Sequence, residues 1–168
     1  DGEYAVTTNQ NYGDFTSIWA GYLNIFVKEG TGVLGYSPLF GNGNGDGIVI
    51  EACVMGKTGS GCGAGIGPGS GCSSYNVYNL GRTATHEVGH YLGLPHIWGS
   101  NGCGGDDGFS DTPSQNTSNF SCPAQGFSSC GTPDMHMNYM DYVNDACMYM
   151  FSEMQANQMH NVAGNNWT

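Results

Sequence analysis

Basic residues are rare in this chain, which has three Lys and Arg against fourteen Asp and Glu and a formal net charge of −11 over 168 residues. Binding to nucleic acid depends on clustered Lys and Arg side chains that contact phosphates. The composition therefore excludes a nucleic-acid partner. Two explanations of the acidity stay open: a solvated surface that keeps the protein soluble outside a cell, and a cleft that attracts basic peptides.

Long apolar runs are also absent from the sequence. No segment approaches the roughly 20 apolar residues that cross a bilayer, so no membrane partner is expected. No signal peptide is visible and the first residue is Asp1, so we expect a mature or excised fragment. The length, the 39% hydrophobic residues and the twenty-nine glycines predict one loop-rich domain that spans residues 1–168.

Cysteines, by contrast, are plentiful. Seven of them in a short chain are typical of proteins that fold in an oxidising compartment. We therefore expect disulfides and a secreted, extracellular protein.

The most informative segment is residues 86–96, His-Glu-Val-Gly-His-Tyr-Leu-Gly-Leu-Pro-His. Residues four apart lie on the same face of a helix, so His86 and His90 can present their imidazoles to one point. Gly93 can take the left-handed conformation that ends a helix, and Pro95 keeps the residue before it extended. The segment therefore predicts a helix from about residue 80 or 81 to residue 92, followed by a turn that delivers His96 as a third ligand.

Three neutral histidine nitrogens with one open position describe a catalytic zinc site, because structural zinc sites are closed by four protein ligands. Glu87 follows the first histidine and can lean toward a water held by the metal without being a ligand itself. The other interpretation is a surface helix with incidental histidines. A helix-ending glycine and a third histidine at this spacing argue against that coincidence.

The pattern His-Glu-x-x-His-x-x-Gly-x-x-His is the signature of metzincins, in which a turn containing methionine follows downstream. Residues 137–142 read Met-Asn-Tyr-Met-Asp-Tyr. Met140 fits the methionine that forms an apolar floor beneath the metal ligands, and Tyr142 resembles the tyrosine that several metzincin families place beside the zinc. Most of the eight methionines are expected to pack in the core, so a methionine alone is weak evidence for the turn. The evidence is the sequence around Met140, which matches the turn pattern.

These residues resemble the pappalysin family of metzincins, and the resemblance covers most of the chain. Further matching segments are Tyr22–Val27, Leu34–Tyr36, Asp46–Ile50 and Leu80–Thr83. The resemblance implies an α+β fold, with a twisted mixed sheet and the zinc helix in an upper part (residues 1–96). The lower part (residues 97–168) is loop-rich and holds the methionine turn and a C-terminal helix. Since only about twenty residues precede Tyr22, we expect an upper part that is either minimal or shortened by processing.

The resemblance also implies two disulfides, Cys103–Cys130 and Cys122–Cys147. Cys62 and Cys72 flank a glycine-rich loop and are predicted to close it, which leaves Cys53 unpaired within this chain. Two explanations of Cys53 stay open: a buried small hydrophobic residue, or a cysteine whose partner lies in a segment no longer present.

A calcium site is a further implication of the resemblance. Asp107, the Phe109 carbonyl and Thr112 are its expected ligands, and they offer the hard oxygen atoms that calcium prefers. Such a site would fix the wall beside the active site. The alternative is an ordinary acidic turn.

The runs Tyr22–Val27 and Ile48–Val54 are β-rich and lie between glycine clusters, so both predict strands. We place Ile48–Val54 at the edge of the sheet, where an extended peptide substrate pairs with it. The predicted contacts of that peptide are Ile50, Ala52 and Cys53.

Two features are expected in the lower part. Residues 99–135 have almost no hydrophobic periodicity and predict a long loop held by disulfides. A last helix is predicted to begin at Ser152, where Ser152 and Gln155 form a capping box, and to run to about Val162.

The predicted function is that of a secreted, monomeric zinc endopeptidase acting on protein or peptide substrates. Glu87 serves as the general base, and Tyr142 donates a hydrogen bond to the oxyanion. The alternatives are a catalytically silent protein-binding domain on a metzincin fold, and another metzincin family such as the snapalysins or astacins. The intact ligands and Glu87 argue against the silent domain, and His96 stands where snapalysins use an aspartate.

The resemblance also suggests a preference for basic residues, since some pappalysins cleave beside arginine. This chain has only three basic residues of its own, Lys28, Lys57 and Arg82. It would therefore offer such an enzyme few places to cut itself.

Overall fold

The structure, a computed structural model, describes residues 22–41, 47–55 and 75–166. Its strands and helices are, in chain order, β1 (Ile25–Lys28), β2 (Gly35–Tyr36), β3 (Ile48–Glu51), α1 (Arg82–Tyr91) and α2 (Glu153–Asn166). Turns of 3-10 helix occur at Ala52–Val54, Gly102–Gly104 and Asp145–Cys147. Among the described helices, none combines the length and the apolar composition that crossing a membrane requires.

The sheet has the strand order β1-β3-β2. β3 runs parallel to β1 and antiparallel to β2, with Gly35 opposite Ile50 and Tyr36 opposite Val49. Both predicted strands exist, but β1 begins later than predicted, and the second strand ends at Glu51, before the 3-10 turn at Ala52–Val54.

The predicted edge position of the second strand is wrong, because β3 is the central strand of the described sheet. Ile50 has no solvent-exposed surface and belongs to the core, so it cannot contact a bound peptide. Ala52 and Cys53 follow in the half-buried turn, and neither lines the cleft described below. All four residues of β3 are buried, which indicates that the strand is covered on both faces.

Helix α1 packs against β3 and β2, and its ends match the prediction within two residues. Gly93 has φ 90°, and its N–H donates to the His90 carbonyl while the Leu94 N–H donates to the Gly89 carbonyl. This pair of bonds is the Schellman motif, which ends a helix and turns the chain back. The turn brings residues 95 and 96 toward the helix they have just left.

The other end of α1 is capped by a distant residue. Gly81 precedes the helix with φ 76° and offers no side-chain cap. Instead, Oδ2 of Asp145 accepts hydrogen bonds from the Leu80 N–H at 2.7 Å and from the Arg82 N–H at 3.2 Å. A carboxylate at this position also suits the positive end of the helix dipole.

The C-terminal helix begins with the predicted capping box. The Ser152 N–H donates to Oε1 of Gln155 at 2.9 Å, and the Gln155 N–H donates to Oγ of Ser152 at 3.2 Å. Asp111 adds a second cap, since its carboxylate accepts bonds from the Ser152 hydroxyl and the Met154 N–H. The helix continues beyond the predicted end at Val162, to Asn166.

Two predicted disulfides are confirmed, Cys103–Cys130 and Cys122–Cys147. The prediction that Cys53 is unpaired is wrong, because Cys53 is disulfide-bonded. The strand ends at Glu51, so Cys53 lies half-buried in a turn, where its sulfur can reach a partner. That partner lies outside the described residues, as does the predicted Cys62–Cys72 pair.

Candidate metal centre and cleft

The three predicted metal ligands come together. His86 and His90 lie on α1, and the turn after Gly93 brings His96 to the same point. Their ligand atoms all lie within 4.8 Å of one another, and Nε2 of His90 is 3.0 Å from Nε2 of His96. Within the described parts of the chain, this is the one group of three or more His, Cys, Asp or Glu side chains arranged to hold a metal ion.

Backbone carbonyls orient two of the three rings. Nδ1 of His86 lies 2.6 Å from the Tyr139 carbonyl oxygen, and Nδ1 of His90 lies 2.7 Å from the Leu94 carbonyl oxygen. A carbonyl oxygen only accepts hydrogen bonds, so each Nδ1 carries the proton. Each Nε2 is then left with a free lone pair facing the common point, which is the arrangement that metal binding requires.

All three histidines are neutral at physiological pH. Burial is the main cause that lowers the pKa of His86 to about 3 and the pKa of His96 to about 4. Burial also lowers the pKa of His90. Neutral imidazole is the form that binds metal ions, so the site needs no deprotonation before it can bind one.

Glu87 lines the same cleft as the histidines. It is 5% exposed, and its Oε2 atom has no hydrogen-bond partner among the described residues. Burial raises the pKa of this carboxyl group to about 8 in the metal-free protein. In the absence of a cation this carboxyl group is therefore largely protonated at neutral pH.

Gly35 of β2 makes room for Glu87. A Cβ atom on Gly35 would lie 2.9 Å from Cγ of Glu87 and 2.9 Å from the Val49 carbonyl oxygen. Both distances are shorter than real side chains tolerate. No local pattern singles out this glycine, because Glu87, the residue it contacts, is remote in the chain.

Met140 lies beneath the helix that carries the first two ligands. It is fully buried with Leu94 and Ile97, and a Cβ atom on Gly89 would lie 2.5 Å from its sulfur. The turn is held by Asn138, whose side-chain oxygen accepts a hydrogen bond from the Met140 N–H. The Met140 side chain therefore lies at the place predicted for the apolar floor.

Tyr142 is at the predicted place beside the third ligand, with its hydroxyl oxygen 3.0 Å from Nε2 of His96. Burial, and then the charges of Glu87 and Asp141, raise its pKa. The hydroxyl therefore stays protonated and can donate a hydrogen bond. The Tyr142 N–H itself donates to Oδ1 of Asp141 at 2.8 Å.

Asp141 connects the methionine turn to the loop before it. Its carboxylate accepts the side-chain amide of Gln115 and both the backbone and side-chain N–H groups of Asn119. The long loop is therefore held by a buried polar network as well as by disulfides. The sequence contains no local signal for these partners, which lie 22 and 26 residues from Asp141.

The cleft has a volume of about 420 Å³, and β2 forms one of its walls. Phe120, Tyr142 and Met148 also line the cleft. Of these residues, Met148 is buried.

Asp145 lines the cleft as well, a role that sequence reasoning missed. Its Oδ2 atom caps α1, whereas Oδ1 accepts no hydrogen bond from the described residues. Burial raises its pKa, and the nearby charge of Arg82 acts in the opposite direction.

The predicted calcium ligands also converge. The Thr112 hydroxyl oxygen lies 2.7 Å from Oδ1 of Asp107 and 2.6 Å from the Phe109 carbonyl oxygen. A hydroxyl group carries one proton and can satisfy only one of these acceptors at a time. Oδ2 of Asp107 is buried without a partner in the described part of the chain.

A sequence model of peptidase family M43, described as pregnancy-associated plasma protein-A, matches residues 72–164, more than half of the chain. The chain belongs to the pappalysin family of metallopeptidases. The matched range contains the histidine helix, the methionine turn and most of α2. The resemblance drawn from the sequence is thereby confirmed, and the assignment decides against the snapalysins and astacins.

Individual relatives agree with this assignment. An extracellular metalloprotease of Colletotrichum graminicola is 36% identical over 149 residues, covering 82% of this chain and 48% of the relative. An extracellular metalloprotease of Arthroderma benhamiae is 48% identical over 85 residues, covering 49% of this chain and 31% of the relative.

Among solved structures, the chain is similar to Tannerella forsythia mature mirolysin in complex with a cleaved peptide. The TM-score is 0.68 at 41% identity, and the match covers 83% of this chain and 51% of mirolysin. This likeness confirms the predicted α+β metzincin fold. The chain spans about half, or less, of the length of the proteins it matches.

Proposed function

We propose that this chain is the catalytic part of a secreted, zinc-dependent endopeptidase. The observation that carries the proposal is the convergence of His86, His90 and His96 beside the buried carboxyl group of Glu87, in an open cleft. Secretion is supported by the disulfides and by relatives named as extracellular metalloproteases.

The three histidines suit zinc. Imidazole nitrogen is a common zinc ligand, and three protein ligands leave the open position of a catalytic site. The carbonyl bonds to His86 and His90 leave the lone pairs of both Nε2 atoms available. When bound here, zinc would supply Lewis acidity, which lowers the pKa of a water molecule and polarises a carbonyl oxygen.

Two side chains of the chain itself would then move or hold protons. The positive charge of a bound zinc ion would favour the ionised form of Glu87, whereas burial alone favours the protonated form. The Glu87 carboxylate would then accept a proton from the attacking water and pass it to the leaving amine. Tyr142, which remains protonated, donates a hydrogen bond from its hydroxyl group to the developing oxyanion. An extended substrate would lie beside β2, because β2 borders the cleft at one end of the described sheet.

Replacing Glu87 tests the proposal. Glu87→Gln removes the base and preserves the shape of the side chain, so we expect zinc content to stay at one ion per chain. We expect kcat on a quenched fluorescent peptide to fall at least ~100-fold, the usual minimum contribution of a general base.

The matched control for this experiment is Glu51→Gln. Glu51 is also a buried glutamate, 3% exposed, but it accepts hydrogen bonds from Thr31 and does not line the cleft. It should keep kcat within a fewfold of the unsubstituted protein. Zinc-loaded protein that cleaves no peptide in a broad library would instead favour a silent binding domain.

Asp145 supports a preference for a basic substrate side chain next to the scissile bond. Asp145 lines the cleft of a protein with a formal net charge of −11, and its Oδ1 atom accepts no hydrogen bond from the described residues. A buried carboxylate that accepts Arg or Lys gains a charge-assisted hydrogen bond that an apolar side chain cannot offer.

Asp145→Asn keeps an oxygen to cap α1 while removing the charge. We expect the ratio of kcat/KM for Arg over Leu peptides to fall at least ~10-fold, as for the loss of one charged hydrogen bond. Asp111→Asn is the control, because Asp111 also accepts a backbone hydrogen bond at the start of a helix, α2, but does not line the cleft. A library profile without basic preference on either side of the cut would contradict the assignment.

We also propose a structural calcium ion at Asp107, Phe109 and Thr112. The Thr112 hydroxyl lies close to two acceptor oxygens, of Asp107 and Phe109, and its single proton cannot satisfy both. A bound cation would be coordinated by all three oxygen atoms and would also give Oδ2 of Asp107 a partner. Calcium should raise the melting temperature, and Asp107→Asn should abolish that rise. An unchanged melting temperature in millimolar calcium would show an ordinary acidic turn.

A further inference from the structure

The third metal ligand is held differently from the other two. Carbonyl oxygens bind Nδ1 of His86 and of His90, but no described residue forms a hydrogen bond with Nδ1 of His96. The His96 ring instead lies flat against the indole of Trp98, with ring centroids 4.3 Å apart and an interplanar angle of 10°. The Tyr142 ring contacts the same imidazole in an edge-to-face arrangement, with ring centroids 4.9 Å apart and an interplanar angle of 75°.

The backbone around Trp98 explains this stack. Ile97, between the two rings in sequence, is 2% exposed and packs into the core with Leu94 and Met140. The Gly99 N–H donates to the His96 carbonyl oxygen at 3.0 Å and closes a turn. Because Ile97 is anchored in the core and the turn is closed, the rings of His96 and Trp98 lie face to face.

We propose that Trp98 is a positioning residue for the metal centre, in the role that a hydrogen-bonding partner has for the other two histidines. An imidazole rotates about its Cβ–Cγ bond unless a neighbour prevents it, and only some orientations direct Nε2 toward the metal. The Trp98 face restricts that rotation, so the third ligand is oriented before the metal binds. The inference rests on the proposed zinc site and adds to it one residue that contacts neither metal nor substrate.

Zinc affinity is the direct readout. Partners that orient metal ligands typically contribute 10–100-fold to metal affinity, so Trp98→Leu and Trp98→Met should each weaken zinc binding at least ~10-fold. Trp98→Phe keeps a flat ring and should stay within ~3-fold of the unsubstituted protein. Affinity is measured by competition with a chromophoric chelator at equilibrium, on protein first stripped of metal.

Met159→Ala is the control for general loss of packing. Met159 packs against the same core cluster as Trp98 and makes no ring contact with a histidine. It should lower the melting temperature while leaving zinc affinity within ~3-fold of the unsubstituted protein.

Each outcome decides the question. Affinity that is unchanged in Trp98→Leu, or reduced equally in Trp98→Phe and Trp98→Leu, overturns the positioning role. An equal loss of zinc affinity in Met159→Ala would assign Trp98 to packing alone and so overturn the positioning role. Failure of both Trp98→Leu and Trp98→Met to fold without metal would lead to the same conclusion. If the unsubstituted protein binds no zinc, the proposed function fails, and that result differs from all of these.

Discussion

Replacing Gly35 with alanine should damage the reaction while leaving the metal site intact. The new Cβ atom would lie 2.9 Å from Cγ and 3.0 Å from Oε1 of Glu87, and 2.9 Å from the Val49 carbonyl oxygen. Val49 belongs to the buried central strand and cannot retreat. The Glu87 side chain must therefore give way.

The size of the effect follows from these distances. Ordinary van der Waals contact begins near 3.4 Å, so the carboxylate must move by about 0.5 Å or more. A misplacement of 1 Å in an active site can cost ~100-fold in rate, so we expect kcat to fall about 10-fold. Overpacking at the same position should also lower the free energy of unfolding by about 1–3 kcal/mol.

The assay is steady-state cleavage of a quenched fluorescent peptide by Gly35→Ala protein, with zinc content measured on the same sample. Gly164→Ala is the matched control, because that glycine lies in α2 with open space around its Cβ position. It should keep full activity. Gly35→Ala protein with unchanged kcat, or with its zinc lost, would refute the view that the glycine makes room for the base.

Three further outcomes are expected. Gly89→Ala should lower the melting temperature, since the clash with the Met140 sulfur costs about 1–3 kcal/mol and outweighs a gain of at most ~1 kcal/mol in helix propensity. For the metal-free protein, the folded-state pKa values of His86 and His96, about 3 and 4, lie below the unfolded value of about 6.5. At these two histidines the unfolded state binds more protons, which makes stability measured in urea rise with pH up to about 6.5. Glu87 acts in the opposite direction, because its folded-state pKa of about 8 lies above the unfolded value of about 4.3. Stability should therefore fall between pH 6.5 and about 8, where the histidine contribution is complete, and a profile without that fall would contradict this. Ser152→Ala should cost ~1 kcal/mol in thermal unfolding by removing the cap of α2.

The parts of the molecule that sequence reasoning predicted correctly depend on neighbours in the chain. The end of α1 follows from Gly93, and the start of α2 follows from Ser152 and Gln155, which are three residues apart. The three histidines that converge likewise lie within one helix and the turn after it. Spacing along the chain fixes geometry at this range, so the pattern was sufficient.

The errors concern contacts between distant segments. β2 has only two residues, too few to show any alternation, so nothing predicted that it would pair with β3 and take the edge of the sheet. The capping role of Asp145 had no local signal either, because its partners lie 63 and 65 residues away. An aromatic residue two positions after a ligand was visible at Trp98, but only the structure shows that its ring stacks on His96.

The long-range cap on α1 has a consequence for synthesis of the protein. Ribosomes make a chain from its N-terminus, so the helix with two ligands emerges well before Asp145, which caps it, and before Tyr139, whose carbonyl orients His86. An unfinished chain therefore holds the ligands without the groups that order them. The histidine site therefore takes its final geometry only once the ribosome has made the chain at least as far as Asp145.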